Sequence, residues 1–132
     1  MKQITYDNVV DILLEKFPEY KNSERYFDES NKELQYIVLG NLSLMALEDI
    51  DKKTDKSLAE KLIKFTDETM NNPNSGDELI NLFQVEVFEQ LVASRTGAIL
   101  AKQLLHGKSI ELLEQILKHY NTDEFLEEYR KK

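Results

Sequence analysis

The chain of 132 residues contains no cysteine. Disulfides, thiolate metal centres and a cysteine nucleophile are therefore excluded, and the composition suits a reducing compartment such as the cytoplasm. Only two prolines and four glycines are present, too few punctuating residues for a turn-rich β architecture. Long hydrophobic runs are absent too. The longest, "LQYIVLGNLSLMAL", spans 14 residues and is interrupted by Gln35, Asn41 and Ser43, which is short for a membrane span and suits a buried helix. The N-terminal "MKQITYDNVVDILLEKF" carries acids inside its apolar stretch and no small-residue cleavage site, so it does not read as a signal peptide. Glycine-rich phosphate loops and a G-x-S-x-G elbow are also missing.

Positive charge is in the minority. Seventeen Lys and Arg face 25 Asp and Glu, for a net charge of −8. The imbalance is uneven: 73–93 carry Asp77, Glu78, Glu86 and Glu89 with no base, whereas 94–108 carry Arg95, Lys102 and Lys108 with no acid. Such a chain repels phosphate backbones, which argues against a nucleic-acid partner. It attracts basic proteins, although solubility alone also accounts for the charge. Hydrophobic residues at 41% are enough for a core, and the length suits one domain over residues 1–132.

Leu, Glu, Lys, Ile and Asn dominate, and apolar spacing near 3.6 governs almost every segment. The expected fold is all-α, a compact stack of five to seven helices arranged as hairpins. Tyr6, Val9, Val10, Leu13, Leu14 and Phe17 mark a first helix that stops before Pro18. Residues 18–32 read as a polar loop with room for a helical turn. A second helix over 33–50 opens with Ser30 and Glu33 in capping-box spacing. A third starts near Thr54 or Asp55, with Leu58, Ala59, Leu62, Phe65, Thr66 and Met70 on one side, and ends before "NNPNSG". Ser75 and Glu78 repeat the capping-box spacing and open a fourth helix over 76–94. "RTG" kinks or breaks it, Gly107 provides a C-cap, and helices follow from Ser109 and within "NTDEFLEEYRKK". The second and fourth helices are apolar nearly all round, which places them centrally. "LAEKLI" and "LAKQLL", 42 residues apart, hint at a repeat that Leu- and Lys-rich helices also produce by chance.

"NLFQVEVFEQL" (81–91) is the ambiguous stretch. "FQVEVF" alternates like a strand inside a longer helical pattern, and Glu86 and Glu89 sit within it as an i, i+3 carboxylate pair. A di-iron bundle needs Glu-x-x-His pairs, and neither His106 nor His119 follows a glutamate by three. Exposed helix surface is the expected role of both acids. No catalytic residue, cofactor or metal ligand is assigned, and an enzyme is not expected. For a protein partner the candidates are Tyr20, Tyr26 and Phe27, aromatic side chains among charges that either bind a partner or lie back over the core. Asp49 and Asp51, in the acidic tip "LEDID", are the candidate rim charges.

The stretches "YIVLGNLSLMALEDI", "LAEKLIKFTDE" and "SGDELINLFQVEVFEQL" resemble a group of small bacterial all-helical proteins with a domain of unknown function. The resemblance covers less than half of the chain and is compositional. Some proteins of this look are cytoplasmic immunity partners of secreted toxins, which implies a basic toxin domain as partner and carries no residue role. The leading expectation is thus a non-catalytic, acidic protein-binding module: an immunity protein or similar adaptor. The alternatives are a small-ligand binder or enzyme using a pocket between the central helices with Glu86 as its polar group, and a self-associating structural subunit. The oligomeric state is left open.

Overall fold

A computed structural model describes residues 3–22, 35–120 and 123–131. Within them every regular element is helical. α1 (Val9–Lys16) buries Val9, Val10, Ile12, Leu13 and Leu14. It ends at Phe17, and Pro18 then opens a short helix, α2 (Pro18–Lys21), the helical turn for which the 18–32 stretch left room. Proline suits this first helical position, because the amide hydrogen it removes would have no helical partner there.

α3 (Gln35–Lys53) runs three residues beyond Ile50. It closes on Thr54, a left-handed residue at φ 51° whose amide donates to Ile50 O at 3.1 Å. α4 (Ser57–Asn71) follows. One Asp55 carboxylate oxygen accepts from the amide and hydroxyl of Ser57 at 3.0 and 2.7 Å, holding the turn and lowering the Asp55 pKa. The six positions expected on the apolar side of α4 are all buried. α4 packs against α3, α5, α7 and α8, a more central place than its single stripe suggested.

α5 (Asp77–Phe83) continues through a π-turn (Gln84–Phe88) into α6 (Glu89–Val92), so 77–92 form one rod and "FQVEVF" is not a strand. Ser75 does not cap it: its hydroxyl donates to Thr69 O at 2.6 Å, and Gly76 holds the N-cap position. The rod breaks at Ala93. Ser94 caps α7 (Arg95–Leu104), its Oγ accepting from Gly97 N at 3.1 Å, so "RTG" forms the first turn of the next helix and is not the break. α7 ends at Leu104 with Leu105 as its C-cap, so Gly107 is not the cap expected of it; at φ 63° it makes the turn into α8 (Lys108–Tyr120). α9 (Asp123–Lys131) lies against α7: the Lys102 ammonium sits 4.8 Å from the Tyr129 ring centroid, and Arg95 pairs with Glu128 at 3.0 Å.

The core runs through the rings of Phe17, Phe65 and Phe83, with successive centroids 5.8 and 5.9 Å apart. α3 and the rod meet at its centre, as their apolar patterns predict. One part of that expectation is corrected. α3 buries Val38, Leu39, Leu42, Ala46 and Ile50, but Ile37 keeps 43% of its surface exposed and Leu44 is only half-buried. The rod and α4 cover one side of α3 and leave this stripe open.

Candidate functional site

The π-turn explains the ambiguity of 81–91. Buried neighbours fall at Leu82 and Phe83, Val87 and Phe88, Leu91 and Val92. The step between pairs is five residues across the π-turn and four after it. An α-helix presents neighbouring turns with steps of three or four, so the extra residue must be absorbed by a wider turn. Without it, Val87 and Phe88 would rotate off the core. With it, Glu86 emerges beside α3, half-buried, among Tyr36, Ile37, Gly40, Asn41, Leu44 and Gln90.

These residues line a shallow groove of about 260 Å³ between α3 and the π-turn. Gly40 provides the room. A β-carbon there would run into Glu86 Oε2, the carboxylate being the only group in its way. Glycine inside a helix costs about 1 kcal/mol relative to alanine. Burial pushes the Glu86 carboxyl above the ordinary glutamate range, and the Glu89 carboxylate adds to the push. Among the described residues no side chain or backbone group hydrogen-bonds or ion-pairs with the Glu86 carboxylate. The rim is ordered by the Tyr36 hydroxyl, which accepts from Asn81 Nδ2 at 2.9 Å.

Glu89 leaves the rod on another side. It lines a broader open groove of about 580 Å³ with Gln84, Gln115, Ile116, Lys118 and His119. The two glutamates therefore face different clefts and do not form one cation site. Among the described residues no cluster of three metal-ligating side chains occurs.

Tyr20 is fully buried at the α1–α2 junction, and its hydroxyl meets Asn41 Nδ2 at 3.5 Å, so its ring packs the core. Tyr26 and Phe27 lie outside the described residues, as do Ser30 and Glu33. Asp49 and Asp51 stand on the last turns of α3, one turn beyond the open stripe. Asp49 is 3.6 Å from Lys53 and Glu48 is 3.8 Å from Lys52.

A second polar constellation was invisible in the sequence. Asp67 is buried near the end of α4 and accepts from His106 Nδ1 at 2.6 Å, His106 N at 3.0 Å, Asn71 Nδ2 at 3.0 Å and the Ser109 hydroxyl. Asn71 donates to His106 O at 2.9 Å and accepts from Lys108 N at 2.9 Å and Ser109 N at 3.3 Å. Ser, His and Asp meet here without forming a nucleophile. The Ser109 hydroxyl is fully buried and donates to the carboxylate, not to the imidazole, whereas a serine nucleophile needs an imidazole as its base and an approach for substrate. Asp67 and Asn71 instead satisfy the amides that open α8.

No known protein family, curated protein or solved structure matches the chain. No helix among the described residues is long and apolar enough to cross a membrane.

Proposed function

We propose that the chain is a non-catalytic protein-binding module that takes a basic partner on the open stripe of α3 and the adjoining π-turn, in the manner of an immunity protein that neutralises a secreted toxin. The observation that carries this reading is the composition of that face. Ile37 and Leu44 give it apolar contact area, and Glu86 gives it a carboxylate with no counter-ion. Glu48 and Asp51 extend the acid along the same side of α3, as the four-residue and seven-residue steps from Leu44 place them. An apolar centre with an acidic rim suits a basic protein, which the net charge of −8 also steers inward. Tyr20 takes no part, because its ring is inside the core.

The test is kinetic. A partner recovered by affinity capture from the native cell is measured by stopped flow across a range of salt. Association should slow as salt rises, since screening shortens the reach of exposed charge to about 8 Å at physiological ionic strength. Asp51→Asn should slow association more than Asp49→Asn, because Lys53 already offsets part of the Asp49 field. An association rate indifferent to salt and to both substitutions would remove the electrostatic basis of the reading.

A further inference from the structure

Three locally unfavourable choices meet in the α3–π-turn groove. Gly40 stands inside a helix, where alanine favours helical order. Glu86 is half-buried with no partner among the described residues. Ile37 is the large apolar side chain most exposed to water in the described structure. Each costs stability alone, and together they form a complementary surface. The missing Cβ at Gly40 lets the Glu86 carboxylate lie against α3, and Ile37 and Leu44 stand beside it as an apolar wall. Local choices that oppose folding and converge on one place are expected where a site is built.

We infer that this groove is the seat of a single lysine or arginine side chain of the partner, with its charged head on Glu86 and its aliphatic stem along Ile37 and Leu44. This rests on the partner-binding reading and names the contact within it. The chemistry selects the occupant. A half-buried carboxylate gains most from a cation that brings its own hydrogen-bond donors. The neighbouring apolar wall favours a cation carried on a methylene stem over a bare ion. The side-chain amide of Gln90 at the edge supplies a further acceptor. Lys52 and Lys53, the cations of this helix, stand one turn beyond Glu48 and Asp49 and pair with those acids.

The test uses the full chain, labelled with ¹⁵N, titrated with capped tripeptides Gly-X-Gly in which X is lysine, arginine, norleucine or Nε-acetyllysine. The lysine or arginine peptide should shift the amide signals of Ile37, Gly40, Leu44 and Glu86. The two uncharged peptides should bind at least about tenfold more weakly, the scale of one charge-assisted hydrogen bond. Glu86→Gln should abolish the difference. Gly40→Ala, whose new methyl displaces the carboxylate, should weaken the charged peptides in a chain whose fold is verified by its unchanged spectrum elsewhere. Equal binding of charged and norleucine peptides, shifts that map to the groove of Glu89 and His119, or indifference to both substitutions would overturn the assignment. So would a dimer that Glu86→Gln or Ile37→Lys dissociates, since a second copy would then own the groove. A basic partner that binds with full salt dependence yet ignores both groove substitutions would overturn the seat alone, leaving the partner-binding reading intact. Charged peptides that bind while no partner association responds to salt would do the reverse.

Discussion

Glu86 and Tyr129 are two groups whose ionisation the fold opposes, at opposite ends of the pH range. Burial raises the Glu86 pKa above its ordinary 4.5, so the folded chain holds that proton more tightly than the unfolded chain does. The linked stability is present below the unfolded pKa and is lost as pH rises through the folded one. At neutral pH the ionised side chain is therefore a liability. Glu86→Gln should melt at a higher temperature than the parent at pH 7, and the gap should narrow as pH falls towards about 4.5 and be closed well below it. Thermal melts followed by circular dichroism across that range decide it; a gap that widens on acidification would contradict the direction of the shift. Tyr129 is pushed up to about 12, by burial first and then by the Glu114 carboxylate, and its buried hydroxyl has no hydrogen-bond partner among the described residues. Its contribution to stability is present below pH 10 and lost between pH 10 and about 12. An ultraviolet titration should show a late phenolate near pH 12 that Tyr129→Phe removes. That substitution should cost little or add up to about 1 kcal/mol, because it deletes an unsatisfied polar atom and keeps the ring under Lys102.

α3 and α4 each carry a feature that tests how their ends and middles are held. In α3, Gly40→Ala should stabilise the chain by up to about 1 kcal/mol, since the new methyl meets only the movable end of Glu86 and gains helix propensity. A loss of stability in urea unfolding would show that the groove cannot relax. At the end of α4, Asn71→Ala removes the side chain that accepts from Lys108 and Ser109 amides and donates to His106 O. It should cost about 1 kcal/mol, because the amide of buried Ser109 loses its acceptor, whereas that of exposed Lys108 turns to water. His106→Ala should cost far less: its imidazole is 79% exposed, and the other donors to Asp67 remain.

The assembled chain has the electrostatics of an acidic body. Its net charge of −8 opposes the compact state by self-repulsion. Raising ionic strength from about 0.01 to about 0.15 M shortens the screening length from about 30 to about 8 Å, so the melting temperature should rise by a few degrees over that range. The same change should slow capture of a basic partner. Opposite responses of stability and association to one variable separate repulsion within the chain from attraction to the partner, and a calorimetric series in salt measures the first. A melting temperature that falls with salt would mean that local ion pairs such as Arg95–Glu128 and Lys61–Glu19 outweigh the net charge.

How much of this can be read along the chain depends on the reach of the interaction. The all-helical class, the central position of α3 and the 77–92 rod, the buried face of α4 and the turn at Gly107 follow from periodicity, propensity and the special conformational freedom of glycine. Those terms act within a few residues, so they are written locally. The π-turn lies at the boundary. Its mark, a five-residue step between Phe83 and Phe88, is visible in the chain, but only the packing of α3, α4 and α8 around the rod decides that both rings must point inward. Capping was misread at Ser75 for a related reason: a hydroxyl three residues before a glutamate has the right spacing, and Thr69 O at the end of α4 competes for it. The groove and the Asp67 network belong wholly to the tertiary fold. Gly40 and Glu86 are 46 positions apart, and Asp67 and Ser109 are 42 apart; nothing in either local segment identifies the other. Helices are selected by bonds between residues four apart, whereas a carboxylate without a counter-ion becomes a site only when folding brings an uncovered face beside it.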